Sequence, residues 1–260
     1  MEYEDLLLEK RDGIATITLN VPEKMNALTI GMRKSLLLVV DEIARDDEVR
    51  VVIVTGAGRS FCSGADLSGA GGEQSRYQRL AFLGPSYGAE AFFTLEKPVI
   101  AAINGACVGA GFSLALSMDI RIVSEAARFG AVFVLRGLVP DCGITYWLPS
   151  IVGMSKAMEL MFTGEIIGAA EAERIGLVSK VVPPDELMDA ANELAQRIIQ
   201  QPPISVEMSK RLVYRRVKDA VSRQIELETG AHRVCIESED YREAVRAFLE
   251  KRPQPEFKGR

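Results

Sequence analysis

The chain has 260 residues, 48% of them hydrophobic and 26% charged, the makeup of a globular protein that buries one sizeable core, or one domain with a small appendage. Its 31 Lys and Arg against 36 Asp and Glu give a net charge of −5 with no basic run, so nucleic acid is not an expected partner. No apolar stretch reaches the ~18 residues that span a bilayer, the N-terminus lacks a signal-peptide pattern, and four cysteines without CxxC spacing beside a single histidine, His232, offer no zinc set: the reading is a cytoplasmic protein with reduced thiols, no membrane partner and no metal.

In chain order, Leu6 to Leu8 and the alternating run Ile14 to Leu19 flank Asp12-Gly13, which predicts a hairpin. Pro22 ends it, and Glu23 to Leu28 reads as a loop. Thr29 is placed to cap a helix whose apolar face holds Met32, Leu36, Val39, Val40 and Ile43. Val49 to Val54 reads as a buried strand, followed by a small-residue loop from Ser60 to Leu67. Residues 68–76 are rich in Gly and Ser, and 77–95 carry an aromatic-rich helical pattern that suits either core or the lining of a pocket.

The stretch 97–143 organises the rest. Pro98 to Ile103 is a second buried strand, Asn104-Gly105 a turn, and Ala106-Cys107-Val108-Gly109-Ala110-Gly111 a small-residue turn feeding a buried helix from Phe112 to Met118. A turn of this kind leaves backbone N–H groups free for an anion or oxyanion, while the same small residues also suit tight strand–helix packing. Neither GxGxxG nor GxxxxGK[ST] is present. Beyond it, a helical run from Tyr146 to Phe162 is interrupted near Pro149 and Gly153. Then come a short helix from Ala169 to Ile175, a short strand from Gly176 to Val182 and, from Asp185 on, an almost wholly helical stretch broken at Pro202-Pro203. The order of elements makes this an α/β protein without simple βαβ alternation.

Several motifs in this order resemble the crotonase (enoyl-CoA hydratase/isomerase) superfamily: Asn26-Ala27-Leu28, Phe61-Cys-Ser-Gly-Ala-Asp-Leu67, Lys97 to Gly105, Gly176-Leu-Val-Ser179, and Asp240 to Arg252 as the C-terminal helix. The resemblance implies a crotonase-like spiral of ββα units over residues 1–200, then a helical oligomerisation region over 201–260 that builds a homotrimer or a dimer of trimers. It implies no permanently bound cofactor; coenzyme A enters as the thioester part of the substrate. Two backbone N–H groups, matching Ala65 and Ala110, would hold the thioester oxygen. Met25, Ala27, Leu28, Ser63, Gly64, Asp66, Leu67, Gly109, Phe133 and Arg252 would line the acyl-CoA site.

Departures from the family pattern bear on the reaction. The positions matching the two glutamates of the hydratases are Ser113 and Phe133, neither acidic. Asp141, in Gly137-Leu-Val-Pro-Asp-Cys-Gly143, falls where the family's isomerases carry an acid, and the segment is similar to that of the single-aspartate enoyl-CoA and 1,2-epoxyphenylacetyl-CoA isomerases. The expectation is therefore a 3-enoyl-CoA to 2-enoyl-CoA isomerase, or a ring-type one, with Asp141 as acid and base. Phe133, Val132, Leu135, Tyr146 and Trp147 suit either a wall that keeps the site dry or, equally, the core. Alternatives are hydration of an unusual dienoyl or aromatic-derived thioester, or a catalytically weak CoA-thioester binder in which Asp141 only caps the next helix. A nucleophilic Asp141 would need the family's orienting Trp and its His, but Phe133 and Glu90 stand there. His232 is expected on a helix in a surface or packing role. Of the tail's Lys251, Arg252, Lys258 and Arg260, Arg252 is the one expected to be ordered enough to meet a CoA phosphate.

Overall fold

A computed structural model describes residues 3–66 and 89–260. Residues 67–88, which include Leu67 and most of the 68–95 stretch, lie outside the described residues; of the aromatic helical pattern over 77–95, residues 89–95 fall within them, 89–94 as helix. Two sheets form the frame. The larger holds β1 (Leu6–Arg11), β2 (Ile14–Leu19), β3 (Val51–Gly56), β5 (Val99–Ile103), β7 (Ile120–Ser124) and β10 (Lys180–Val182), in that spatial order. The smaller holds β4 (Ser60–Cys62), β6 (Ala106–Val108), β8 (Arg128–Gly130) and β9 (Ile166–Gly168). The β1–β2 hairpin and the β8–β9 pair are antiparallel, and every other pairing is parallel. Each winding of the chain leaves a strand in the large sheet, turns, and lays the next strand in the small one, as β3–β4, β5–β6 and β7–β8 do.

The unbroken apolar runs of β3 and β5 follow from burial on both faces. Val52 and Val54, with Val99, Ala101 and Ile103, face the main core; Val51 and Ile53, with Ile100 and Ala102, face a second core beneath α7 (Leu187–Ile199). Three alanines of α7, Ala190, Ala191 and Ala195, let that helix approach the sheet closely. On the other side lies α1 (Ile30–Ala44), capped as expected by the Thr29 hydroxyl, which accepts from Met32 N at 2.9 Å. All five of its expected apolar positions are buried.

Among the described residues, the remaining α-helices are α2 (Ala89–Thr94), α3 (Ala110–Leu116), α4 (Ile144–Val152), α5 (Met154–Thr163), α6 (Ala169–Arg174), α8 (Pro203–Arg215), α9 (Lys218–Glu237) and α10 (Glu239–Leu249). Some expected boundaries change. The loop from Ser60 begins as β4, and the small-residue turn from Ala106 begins as β6, because the two segments pair with each other: Ser60 with Ala106 and Cys62 with Cys107. Pro149 sits inside α4, and the break falls at Gly153 alone, where φ is +81°. Pro203 opens α8, a position where its missing N–H has no acceptor to lose.

Candidate active site

The parallel pairing of β4 with β6 and of β6 with β8 brings out their following loops side by side. Gly64, after β4, and Gly109, after β6, touch. A Cβ on Gly64 would lie 3.2 Å from Val108 O and 3.5 Å from Ala110 N, and one on Gly109 would lie 3.8 Å from Gly64 Cα. Both glycines have positive φ, +101° and +56°, so the sequence supplies the one residue type that adopts these turns without strain. Across from Gly109 stands Val132, whose Cγ2 would be 3.7 Å from such a Cβ. Helix α3 sits hard on β4, since a Cβ on Gly111 would come within 2.5 Å of Cys62 O.

The Gly64 loop is fixed by the segment before α1. Leu28 N–H donates to Gly64 O at 2.8 Å, and Asp66 N–H donates to Leu28 O at 3.4 Å. In a parallel bridge of this kind the residue between the two bonded groups turns its own N–H away, so the Ala65 N–H points away from Leu28. Ala110 holds the first position of α3, where an N–H has no acceptor within the helix. Two backbone donors from neighbouring loops therefore sit about one residue from the Gly64–Gly109 contact.

Ala27 and Leu28 hold this arrangement through the backbone, as their side chains are buried in the core. Asn26, fully buried with φ +54°, braces it: its Oδ1 accepts from Val21 N, and its amide donates to Ala57 O and Ser60 O. Met25, also at positive φ, accepts from Ser63 N at its carbonyl, and the Ser63 hydroxyl donates to Lys24 O. The Lys24 ammonium pairs with Asp66 at 2.9 Å.

Asp141 lies next to α3. Ser113, one turn along from Ala110 and fully buried, donates its hydroxyl to Asp141 O at 2.8 Å. The Asp141 side chain is 15% exposed. Cys142 S–H donates to its Oδ1 at 3.1 Å, and His232 Nδ1 stands 3.2 Å from its Oδ2. The chain turns sharply just beyond, with positive φ at Cys142 (62°) and Gly143 (83°). Phe133 is buried in the main core, and Trp147 sits in an aromatic group with Phe93, Tyr146 and Tyr214.

One expectation is corrected here, and another is extended. Asp141 does not cap α4 with its side chain. That place is taken by Glu228 of α9, whose carboxylate accepts from Gly143 N at 2.6 Å, from Thr145 N at 3.0 Å and from the Thr145 hydroxyl. His232 is buried, yet its packing places it against the Asp141 carboxylate. The sequence signal was their spacing: Glu228 and His232 are four apart, hence on one helical face. Arg252 is engaged locally, with Glu250 at 2.6 Å and Glu243 at 2.9 Å, and those hydrogen bonds raise its pKa.

Burial pushes the Glu228 carboxyl from its ordinary 4.5 up to about 7, against the pull of its hydrogen bonds to Thr145 and Gly143 and with the nearby charge of Asp141 adding to the rise. The folded value exceeds the unfolded one, so this contribution to stability is fully present below pH 4.5 and is lost as the pH rises through 7. Relative to Glu228→Gln, which does not titrate, the wild type is expected to lose about 2–3 kcal/mol of stability between pH 5 and pH 8. Urea midpoints at the two pH values check this; a constant gap between the two proteins contradicts it.

The two loops thus present backbone N–H groups at Ala65 and Ala110, and Asp141 is joined through its carbonyl to Ser113 on the helix that begins at Ala110. The chain matches the family described as "Enoyl-CoA hydratase/isomerase" over residues 9–260. It is 41% identical, over the full length of both, to the short-chain-enoyl-CoA hydratase of Clostridium acetobutylicum. It is 35% identical to the 1,2-epoxyphenylacetyl-CoA isomerase of Escherichia coli, covering 99% of each. The crystal structure of an enoyl-CoA hydratase from Mycobacterium avium subsp. paratuberculosis superposes with a TM-score of 0.88 at 29% identity, over 99% of this chain and 100% of that one. The protein belongs to the enoyl-CoA hydratase/isomerase family and has the crotonase fold: it is a CoA-thioester enzyme. Among the described residues, no helix is long and apolar enough to cross a membrane.

Proposed function

We propose that the protein isomerises a 3-enoyl-CoA to a 2-enoyl-CoA, with Asp141 as the acid–base group and the Ala65 and Ala110 N–H groups as the oxyanion donors. What carries this reading is that Asp141 is tied through Ser113 to the helix that begins at Ala110, while both positions matching hydratase glutamates, Ser113 and Phe133, lack a carboxylate. The Asp141 carboxylate takes a proton from C2. The C–H electron pair forms a C1–C2 double bond, and the thioester carbonyl pair moves to its oxygen, where the two N–H groups stabilise it. As the carbonyl re-forms, the C2–C3 double bond closes and the former C3–C4 pair takes the proton back from Asp141 at C4. No water is consumed, which suits a site walled by Val132.

The E. coli relative named an isomerase supports this reading, and the Clostridium relative named a hydratase favours a second one, hydration of an unusual enoyl thioester by Asp141 alone. The same family reading assigns the exposed apolar side chains of α8 and α9, such as Ile204, Leu212, Leu227 and Val234, to contact between copies of the chain in a trimer or dimer of trimers. Steady-state kinetics on 3-enoyl-, 2-enoyl- and phenylacetyl-derived CoA thioesters, with products read by mass spectrometry, tests the assignment. The 3-enoyl thioester is expected to give the highest kcat/KM and crotonyl-CoA to be hydrated poorly; brisk hydration of crotonyl-CoA overturns it.

A further inference from the structure

We propose that His232 and Glu228 of α9 are positioning residues that hold Asp141 in its working geometry, an inference that rests on Asp141 being the acid–base group. Position 141 lies in an irregular segment between β8 and α4, so the backbone alone does not set where its carboxylate points. Contacts from α3 and α9 set it. Ser113 fixes the Asp141 carbonyl from the side of α3. Glu228 fixes the next turn, taking the N–H groups of Gly143 and Thr145, which would otherwise be orphaned at the start of α4. Gln224, one turn before Glu228, adds a bond to the Thr145 hydroxyl at 2.9 Å. His232, one turn after Glu228, places Nδ1 3.2 Å from Asp141 Oδ2.

The spacing 224, 228, 232 puts all three on one stripe of α9, directed at residues 141–145. Buried Val221 and Ile225 lie nearby on the same helix and dock it against the main core, so the stripe is presented by a rigid element. Cys142 donates to Oδ1 and His232 Nδ1 lies beside Oδ2, so protein groups flank both carboxylate oxygens, and each oxygen keeps a further lone pair. A misplacement of ~1 Å in such a group costs up to ~100-fold in rate.

The test compares His232→Leu, His232→Asn and Glu228→Gln with the wild type, using the enoyl-CoA thioester that the wild type turns over fastest. His232→Leu is expected to lower kcat roughly 10- to 100-fold with KM within about twofold, because the carboxylate loses its neighbour but the thioester site is intact. An Asn amide reaches the place of Nδ1, so His232→Asn is expected to recover kcat to within about threefold of wild type. Glu228→Gln, which keeps one acceptor, is expected to fall between them. Val221→Ala serves as the structural control, lowering Tm while kcat stays unchanged. Adding His232→Leu to Asp141→Asn is expected to cost nothing further, since the group being positioned is already gone. Loss of turnover in Asp141→Asn together with full kcat in His232→Leu overturns the positioning role alone. Full turnover in Asp141→Asn overturns the acid–base reading and the positioning role with it.

Discussion

Asp141→Asn is expected to lower turnover of an enoyl-CoA by at least ~100-fold, the lower end of what a general acid–base group contributes, while the affinity for a CoA thioester stays nearly unchanged. The substitution is close to isosteric. Asn keeps an oxygen for the Cys142 thiol and leaves the Asp141 carbonyl with Ser113, so the loop from 141 to 143 retains its anchors. What it removes is the carboxylate that, in the proposed mechanism, takes a proton from carbon and returns it. In the proposed site the thioester is held instead by the loops around Gly64 and Gly109. Parallel measurement of kcat and of ligand Kd separates the two; unchanged turnover removes the mechanism.

Gly64→Ala is expected to lower kcat/KM roughly 100-fold, in the range seen when an oxyanion donor is lost. Its φ of +101° is hostile to a side chain, and the added Cβ would stand 3.2 Å from Val108 O and 3.5 Å from Ala110 N. Any relaxation shifts Ala65, the next residue, and crowds Ala110, so both donors are disturbed by one methyl group. Gly153→Ala separates this from backbone strain alone. Gly153 has φ +81° with nothing within 4 Å of a Cβ, and it lies between α4 and α5. Both substitutions carry positive-φ strain of order 1–3 kcal/mol, visible in Tm. Only Gly64→Ala is expected to lose activity, and equal activities in the two variants contradict the placement of the donors.

The elements legible in the sequence are those whose physics is local. Continuous Val and Ile in β3 and β5 announce strands buried on both faces, the Asp12-Gly13 turn announces its hairpin, and Thr29 announces its helix. The small residues of the two loops after buried strands were legible as well, because glycine at a tight turn leaves a compositional mark. The three-residue strands β4, β6, β8 and β9 are too short to show a period, and their pairing is settled by partners far along the chain. The partners of Asp141 were hidden for a related reason. Glu228 and His232 lie 87 and 91 residues beyond it, and helical spacing shows that two residues share a face without showing what the face meets. His232 reads as a surface or packing histidine until α9 is folded back on the turn before α4. The glutamates that engage the Arg252 guanidinium lie two and nine residues before it, close enough in sequence to be seen but set by the fold of the tail.

The central claim, proton transfer within the substrate rather than addition of water, is tested most directly by incubating the wild-type enzyme with a 3-enoyl-CoA in oxygen-18 water and weighing the products. The account predicts accumulation of the 2-enoyl thioester, equal in mass to the starting material and free of the heavy oxygen. Recovery of unchanged 3-enoyl-CoA, alongside ready conversion of 2-enoyl-CoA to a 3-hydroxyacyl thioester carrying oxygen-18, would contradict it.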